Sequence, residues 1–410
     1  MTSFLRLAQS DYRLAERIFK AVAVTGVRGC GKSTFVRGLL PADAAIVSLE
    51  CEAVRRELDA SPCGFLEQYR GRCLAFDEVQ RIPKLFDAMK AFADESPETR
   101  QYVLTASANF RSMSSVRESM AGRLGEVRLR TLTETEIQGR ISCFVDRILA
   151  GNFDESLMSS DCSLEVILQK AYRGGFPEAL GLEKAQRSQW FEVYVNNLAL
   201  YELPQLGEYR KPQYLRLLLE QSAARSGRPL NVSAMSAAMQ VNRPTVMQYL
   251  NALETFFLVD IIPVWRGPIW KKPALKRAAR TSKLMLCDSG LAAWLLGGDD
   301  RERLETVIQT WIYQQLVTMA DIGKRWKLSY WRDAWGRQID FVLENREGDL
   351  ICLVVRPEES VLDADFADLR HFREQVGKDF RVWSIVLYAG REVKCYGEGE
   401  IALPMAYLWL

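Results

Sequence analysis

The first third of the chain alternates short apolar segments with longer amphipathic ones. Helical patterns, for example at 85–93, separate apolar segments that have the length and the β-branched or aromatic content of buried strands. These segments lie at residues 21–25, 45–49, 73–76, 102–105 and 126–129. Buried strands that alternate with helices are typical of a parallel sheet with helices on both faces. The pattern therefore predicts an α/β domain over residues 1–135.

The hydrophobic pattern changes after this domain. Residues 136–225 are predominantly helical, and residues 226–285 have the spacing of a helix–turn–helix within a winged helix. The first helix of this motif is predicted at 233–239. Asn242 is the expected N-cap of the second helix, because its side chain can accept a hydrogen bond from the first turn.

The last part of the chain returns to an α/β pattern over residues 286–410. Helices are predicted at 307–319 and 366–376. Strands are predicted at 328–331, 339–343, 351–355 and 383–387. A chain of 410 residues is too long for one ordinary hydrophobic core, so a division into several modules is expected.

Composition and charge indicate which partners, metals and compartment to expect. A net charge of only +2 creates no global field that demands a nucleic-acid partner, so any basic site must be local. The nine cysteines form no C-x-x-C pair and His371 is the single histidine, so we expect no zinc site. No apolar run has the length of a membrane span and the first residues lack a signal-peptide core, so a cytoplasmic protein is expected.

Residues 26–33 fit the phosphate-binding pattern G-x-x-x-x-G-K-[ST] between an apolar strand and a helical pattern. Glycines in such a loop let successive backbone N–H groups point at phosphate oxygens. Lys32 is expected against the β- and γ-phosphates, and the Ser33 hydroxyl is expected to bind Mg²⁺. The predicted nucleotide-binding residues are Gly26, Arg28, Gly29, Cys30, Gly31, Lys32, Ser33 and Thr34.

An acidic pair, Asp77 and Glu78, directly follows the apolar segment at 73–76. After a phosphate-binding loop, this pair predicts the remaining parts of a hydrolytic site. Asp77 is expected to hold Mg²⁺ through water, and Glu78 is expected to orient and deprotonate the attacking water.

Two further candidates are less specific to catalysis. Ser107 or Asn109, at the end of the segment 102–105, could lie near the γ-phosphate, although an ordinary polar strand end fits the sequence equally well. Arg123 could stabilise the transition state in its own subunit or across a subunit interface, and a surface arginine is an equal alternative.

The order of these and later motifs resembles that of a family of bacterial and archaeal AAA-type ATPases. Its members join an AAA_14 P-loop domain to a winged helix and a restriction-endonuclease-like DUF4143 domain. The motifs that carry the resemblance stand at 28–33, 77–80, 104–108, 119–123, 174–178, 245–254 and 283–291. The resemblance implies ATP as the nucleotide and a five-stranded sheet in which the Thr105 strand lies between the Gly26 and Asp77 strands. That order would bring Ser107 beside Glu78.

The C-terminal domain departs from the nuclease pattern of the family. Positions that carry acids in nuclease-like members are Gln309, Gln338 and Val354 here, and Arg356 stands where those members have lysine. Only the carboxylate of Asp340 remains, and one carboxylate beside an arginine cannot hold the usual metal. We therefore expect an inactive nuclease-like domain in which Asp340 pairs with Arg356 or Arg332.

The sequence leaves the wider role and the partner open. Asn242, Arg243 and Gln248 lie on or near the second helix of the predicted winged helix, and the basic stretch 265–283 could touch DNA phosphates. A protein partner is the equal alternative. One hypothesis is an ATP-driven machine that acts on DNA, in genome defence, as a homo-oligomer. The other is a slow ATP-gated switch or adaptor.

Overall fold

The computed structural model describes most of the chain, and the chain folds into two compact units. The described residues are 4–95, 99, 101–109, 119–141, 144–153, 163–207, 209, 211–267, 281–298 and 300–410. Unit 1 comprises Met1–Thr131 and Thr255–Phe257, and unit 2 comprises Leu132–Glu254 and Leu258–Leu410. Unit 1 is thus built from two separate stretches of the sequence.

The described part of unit 1 contains a parallel five-stranded sheet. Its strands are β1 (Ala21–Thr25), β2 (Ala45–Ser48), β3 (Leu74–Asp77), β4 (Tyr102–Ala106) and β5 (Leu124–Arg128). They lie in the order β2-β3-β4-β1-β5, so the Thr105 strand separates the Gly26 strand from the Asp77 strand, as the resemblance implies. Every residue of β1 and β4 is buried, which explains their continuous apolar sequences.

Helices connect the strands of this sheet. They are α1 (Gln9–Ile18), α2 (Lys32–Arg37), α3 (Glu52–Ala60), α4 (Pro62–Glu67) and α5 (Leu85–Glu95). Phe76 of β3, Leu104 of β4 and Phe86 of α5 belong to one buried cluster, which joins helix and sheet into a single core. Burial of these apolar side chains is the main stabilising contribution to such a unit.

The first part of unit 2 is helical and then passes to a small antiparallel sheet. Its helices are α6 (Glu134–Ile137), α7 (Phe144–Ala150), α8 (Leu164–Arg173), α9 (Lys184–Asn197), α10 (Gln213–Ala223), α11 (Val232–Met239) and α12 (Arg243–Thr255). The backbone N–H of Thr245 donates to the Asn242 side chain, so Asn242 caps α12. Strands β6 (Arg228–Pro229), β7 (Val259–Ile262) and β8 (Lys283–Leu286) form a sheet in the order β6-β8-β7.

The C-terminal part of unit 2 is a mixed sheet with helices. After α13 (Ser289–Leu296) and α14 (Arg301–Asp321), the strands are β9 (Lys327–Arg332), β10 (Gln338–Glu344), β11 (Asp349–Arg356), β12 (Arg381–Tyr388), β13 (Lys394–Gly397) and β14 (Glu400–Pro404). Helix α15 (Ala367–Val376) lies between β11 and β12 in sequence. The strands take the order β13-β14-β12-β11-β10-β9, with parallel pairing of β11 with β12 and of β12 with β14.

These elements confirm the predicted fold class, an α/β chain with a parallel P-loop sheet, a helical segment and a C-terminal α/β domain. The winged helix and the division of unit 2 into three modules stay predictions. None of the helices in the described ranges combines the length and the apolar character that crossing a membrane requires.

Candidate functional site

The phosphate-binding loop lies between β1 and α2. Gly29 has φ 81° and Gly31 has φ 94°, values in the left-handed region that glycine adopts without steric cost. Gly31 is also the residue that precedes α2, so the loop turns directly into a helix whose first backbone N–H groups have no intrahelical partner. Together the loop and the helix end form a site for an anion such as a phosphate group.

Close packing explains two further residues of the loop. A Cβ atom added to Gly26 would lie 2.0 Å from the carbonyl oxygen of Leu129, so only glycine fits there. The Cys30 thiol is buried and donates to the same carbonyl oxygen at 3.3 Å. The guanidinium of Arg6 donates to the carbonyl oxygen of Cys30 at 2.8 Å and so supports the loop from the N-terminal segment.

Lys32 is the first residue of α2, and its side chain is buried. The ammonium Nζ donates to the carbonyl oxygens of Gly26 and Val27, at 3.0 Å each. The loop backbone thereby holds the charge of Lys32 over the turn to which a phosphate group would bind. Arg28 forms an exposed ion pair with Glu50 at 3.1 Å, and Thr34 is exposed on α2.

Ser33 and Asp77 meet where α2 faces the end of β3. The Ser33 hydroxyl lies 2.9 Å from Oδ1 and 3.0 Å from Oδ2 of Asp77. The hydroxyl of Thr105, from the neighbouring strand β4, also donates to Oδ1 of Asp77. A hydroxyl and a carboxylate that converge in this way supply oxygen ligands of the kind that Mg²⁺ prefers. The described residues hold no group of three or more His, Cys, Asp or Glu side chains suited to a metal.

Glu78 is buried immediately after β3 and has an unusual backbone conformation. Its φ of 63° and ψ of 51° are left-handed, which is uncommon for a residue with a long side chain. Its backbone N–H donates to Oγ1 of Thr105 at 3.1 Å. Because Thr105 contacts both acids, the central position of β4 in the sheet fixes Asp77 and Glu78 relative to each other.

Neutral donors hold the carboxylate of Glu78. The Ser107 hydroxyl donates to Oε1 at 2.7 Å, and Nε2 of Gln80 donates to Oε2 at 2.6 Å. Burial opposes ionisation, but the nearby charge of Lys32 and these two hydrogen bonds outweigh it and hold the pKa of the Glu78 carboxyl below its usual range. Glu78 is therefore ionised at neutral pH, as a proton acceptor must be.

Arg123 lies at the opposite end of the strands from the phosphate-binding loop. It precedes β5, and its carbonyl oxygen accepts from the N–H of Ala21 at the start of β1, whereas the phosphate-binding loop follows the end of β1. Its guanidinium pairs with Asp94, with Nε 2.6 Å from Oδ1. The structure thus brings Lys32, Ser33, Asp77, Glu78 and Ser107 together and leaves Arg123 apart from them within the same chain.

Sequence reasoning assigned no role to Thr105, Gln80 or Arg6. Thr105 and Gln80 stand within the recognised motifs, and a hydroxyl near the end of the buried strand β4 is a signal that could have identified Thr105. Arg6 had no such signal, because nothing near it in the sequence indicates that it contacts the loop.

The surroundings of Asp340 correct one expectation. Asp340 does not pair with Arg356 or Arg332; Oδ1 lies 3.6 Å from the Nζ of Lys283, which also donates to the Asp340 carbonyl oxygen at 3.1 Å. Arg356 instead pairs with Asp365 at 2.8 Å. The reason is topological, because β8 places Lys283 against β10 although the two residues are far apart in sequence.

Neutral donors complete the Asp340 site. Oδ1 accepts from the side chains of Gln338, at 2.8 Å, and Gln309, at 3.4 Å, while Oδ2 accepts from the backbone N–H of Val355 at 2.9 Å. Burial lowers the pKa of Lys283, and the charge of Asp340 opposes that shift. The fully buried side chain of Lys283 thus stands beside the one remaining carboxylate of the nuclease-like pattern.

The predicted DNA-binding surface is described only in part. Residues 268–280 of the basic stretch lie outside the described residues. At its ends, Trp265 and Lys283 are buried, and contact of the stretch with DNA stays a prediction. Arg243 and Gln248 are exposed on α12, and Asn242 acts as its cap.

Family models match three regions of the chain. Residues 19–138 match an AAA domain, residues 165–302 match a domain of unknown function (DUF8612), and residues 305–408 match another domain of unknown function (DUF4143). Two uncharacterized proteins, one from Mycobacterium tuberculosis and one from Mycobacterium bovis, are each 26% identical over 339 residues, which is 81% of this chain and 70% of the relative.

Solved structures show weaker similarity. A RuvB variant of Thermotoga maritima is 18% identical, covers 66% of this chain and 90% of its own, and has a TM-score of 0.28. A STAND ATPase with a tetratricopeptide repeat sensor from Pyrococcus horikoshii is 10% identical, covers 79% of this chain and 48% of its own, and has a TM-score of 0.22. TM-scores this low do not establish that these proteins share a fold with this chain. The family models, by contrast, assign an AAA domain to residues 19–138 and a DUF4143 domain to residues 305–408, so the chain joins an N-terminal AAA domain to a C-terminal DUF4143 domain.

Proposed function

We propose that this protein is a Mg²⁺-dependent ATPase that hydrolyses the β–γ phosphate bond of ATP. The observation that carries the proposal is the convergence of Ser33, Asp77 and Glu78 at the ends of neighbouring elements, next to the buried ammonium of Lys32. A binding site alone needs no ionised carboxylate held in place by neighbouring donors, whereas hydrolysis does.

The residues present fit a magnesium ion. The Ser33 hydroxyl and the Asp77 carboxylate would hold it, and few protein ligands suffice because Mg²⁺ keeps several waters and takes the others from substrate phosphates. When bound, the ion neutralises charge on the β- and γ-phosphate oxygens.

The remaining steps belong to side chains of the chain itself. Lys32 exchanges the carbonyl oxygens of the loop for phosphate oxygens and stabilises the charge that accumulates on them. Glu78 accepts a proton from the water that attacks the γ-phosphorus, and ADP leaves with the electron pair of the broken bond. Ser107 supports Glu78 through its hydrogen bond at 2.7 Å.

The wider role has two candidates. In the first, turnover drives a machine that acts on DNA in genome defence, assembled as a homo-oligomer in which Arg123 reaches the site of a neighbouring subunit. In the second, the chain is a slow ATP-gated switch in the cytoplasm that binds a protein partner. The Lys283–Asp340 pair favours the second candidate, because a neutralised centre fits a domain that persists as a binding surface.

The test is ATP turnover by the wild type and by Glu78→Gln, with and without Mg²⁺ and duplex DNA. We expect Mg²⁺-dependent turnover that Glu78→Gln lowers by about 10²- to 10⁴-fold while ATP still binds. Glu57→Gln, an exposed glutamate on α3, is the matched control and is expected to retain wild-type turnover.

The outcomes separate the proposals. Equal turnover by the wild type and Glu78→Gln would show that Glu78 is not the base. Turnover that rises with DNA would support the DNA machine, and turnover indifferent to DNA would support the switch.

A further inference from the structure

Gln80 lies beside the proposed catalytic base, and its two polar atoms have different environments. Its Nε2 donates to Oε2 of Glu78 at 2.6 Å. Its Oε1 is buried and has no hydrogen-bond partner among the described residues. An ionised carboxylate can only accept hydrogen bonds, so the amide nitrogen must face Glu78 and the orientation of the amide oxygen follows.

An unsatisfied buried oxygen is unfavourable and requires an explanation. Gln80 belongs to a single 3₁₀ turn, Val79–Arg81, that follows Glu78 directly, so its position is fixed by the same backbone that positions the base. An acceptor kept without a partner beside a proton acceptor is suited to a ligand that carries two protons.

We propose that Gln80 is a positioning residue for the attacking water, which its amide oxygen and the Glu78 carboxylate hold between them. This inference rests on the proposed ATPase function. One proton of the water points to the Glu78 carboxylate, which receives it, and the other points to Oε1 of Gln80 and stays on the phosphate product. The water oxygen forms a bond to the γ-phosphorus, and the bond from that phosphorus to the β–γ bridging oxygen breaks.

Local movement must admit the water, because Oε1 of Gln80 and the side chain of Glu78 are both buried. The backbone of Glu78 is the place where movement is favourable. It holds a left-handed conformation at φ 63° that costs free energy for a residue other than glycine. A shift of this residue toward an ordinary conformation would relieve that strain.

Gln80 therefore acts on the chemical step and not on nucleotide binding. The described hydrogen bonds of its side chain involve Glu78 alone, whereas Lys32 and Ser33 occupy the phosphate and metal side of the site. Its removal is expected to change kcat and to leave the affinity for ATP in place, because the interaction with water forms during turnover.

The experiment measures kcat and KM for ATP with the full chain carrying Gln80→Leu or Gln80→Met. Both replacements remove the donor and the acceptor of the amide, and the unbranched methionine keeps the length of the side chain. We expect either variant to lower kcat by about ten- to hundredfold, with KM and the Kd of a non-hydrolysable ATP analogue within about twofold of wild type. Gln68→Leu, an exposed glutamine in the same unit, is the matched control.

Ser107→Ala provides the decisive comparison. It removes the other hydrogen bond to Glu78 but no acceptor for water, so its loss in kcat should be smaller than that of Gln80→Leu. Equal losses would overturn the role in holding water, and a fall in kcat matched by an equal loss of analogue affinity would do the same.

Two outcomes keep this inference distinct from the proposed function. If the wild type turns over ATP and Glu78→Gln does not, an unchanged kcat for Gln80→Leu contradicts the role of Gln80 and leaves the proposed function intact. If Glu78→Gln matches the wild type, the proposed function itself fails. Should Gln80→Leu lower the melting temperature, Gln80→Met decides, since it keeps the length of the side chain and also lacks the acceptor.

Discussion

Glu78 and Asp340 are both buried carboxylates within sheets, and they differ in what compensates their charge. Glu78 accepts from two neutral donors, the hydroxyl of Ser107 and the amide of Gln80. The ammonium of Lys32 also lies near Glu78, but its described hydrogen bonds go to carbonyl oxygens of the phosphate-binding loop. Asp340 accepts from a backbone N–H and two amides, and it also lies 3.6 Å from the fully buried ammonium of Lys283.

The two sites differ in whether the negative charge of the carboxylate remains available for chemistry. A carboxylate held by neutral donors keeps its negative charge for a proton or a metal-bound water. A carboxylate paired with a buried cation has that charge compensated permanently, and the pair is held because separating it would leave an isolated charge in the core. The first arrangement suits chemistry, and the second suits a structural contact.

The largest expected effect comes from breaking the compensated pair. Lys283→Met should lower the free energy of unfolding by about 3–5 kcal/mol, because Asp340 would remain buried with its charge uncompensated. Urea unfolding at neutral pH measures it. Lys394→Met, at an exposed lysine of β13, is the matched control.

A double variant tests whether the loss of stability comes from the uncompensated charge of Asp340. Lys283→Met combined with Asp340→Asn should recover most of the loss, since no charge is left without a partner. A single Lys283→Met variant as stable as the control would contradict the view that Asp340 is a neutralised structural centre.

An intermediate effect is expected at Ser33, whose hydroxyl contacts Asp77 in the proposed magnesium site. Ser33→Ala removes a hydroxyl from the proposed magnesium site, so the Mg²⁺ concentration for half-maximal turnover should rise by about tenfold or more. Titration of turnover with Mg²⁺ measures this, and Ser48→Ala at the end of β2 is the control. An unshifted Mg²⁺ titration would remove Ser33 from the metal site.

The smallest effect concerns an exposed carboxylate, Asp94, which pairs with Arg123 at the surface. Exposed ion pairs contribute little, so Arg123→Ala should leave the urea midpoint unchanged. At low protein concentration the Arg123→Ala variant should also turn over ATP at the wild-type rate, because Arg123 lies at the opposite end of the strands from the phosphate-binding loop. A loss of turnover that is the same at every protein concentration would contradict that placement.

Local pattern was enough to predict most of unit 1. The strand β1 and the start of α5 coincide with the predicted residues, because continuous apolar segments in a parallel sheet are buried on both faces. The strand β5 begins two residues earlier than predicted, at Leu124, since Gly125 interrupts the apolar run. The phosphate-binding loop and the acidic pair were visible because each depends on neighbours in the sequence.

Contacts between distant residues were not visible in that way. The partner of Asp340 was predicted among the arginines near it in the fold pattern, but the cation comes from β8, which precedes the whole C-terminal domain. Gln80 was visible as part of a motif, yet the isolation of its oxygen depends on how the 3₁₀ turn packs. The sequence pattern predicts elements well and predicts side-chain partners across elements poorly.

The division of unit 1 into two stretches of sequence has a consequence for biosynthesis. The N–H of Asn109, two residues after Ser107, donates to the carbonyl oxygen of Thr255 at 2.8 Å, and the guanidinium of Arg128 lies 4.4 Å from the ring centre of Phe257. These contacts can form only after the ribosome has translated α11 and α12. Domains generally fold as they emerge, N-terminal first, but these contacts of unit 1 must wait for residues that come later in the sequence. Newly made chains thus complete unit 1 only after residue 257 has been translated.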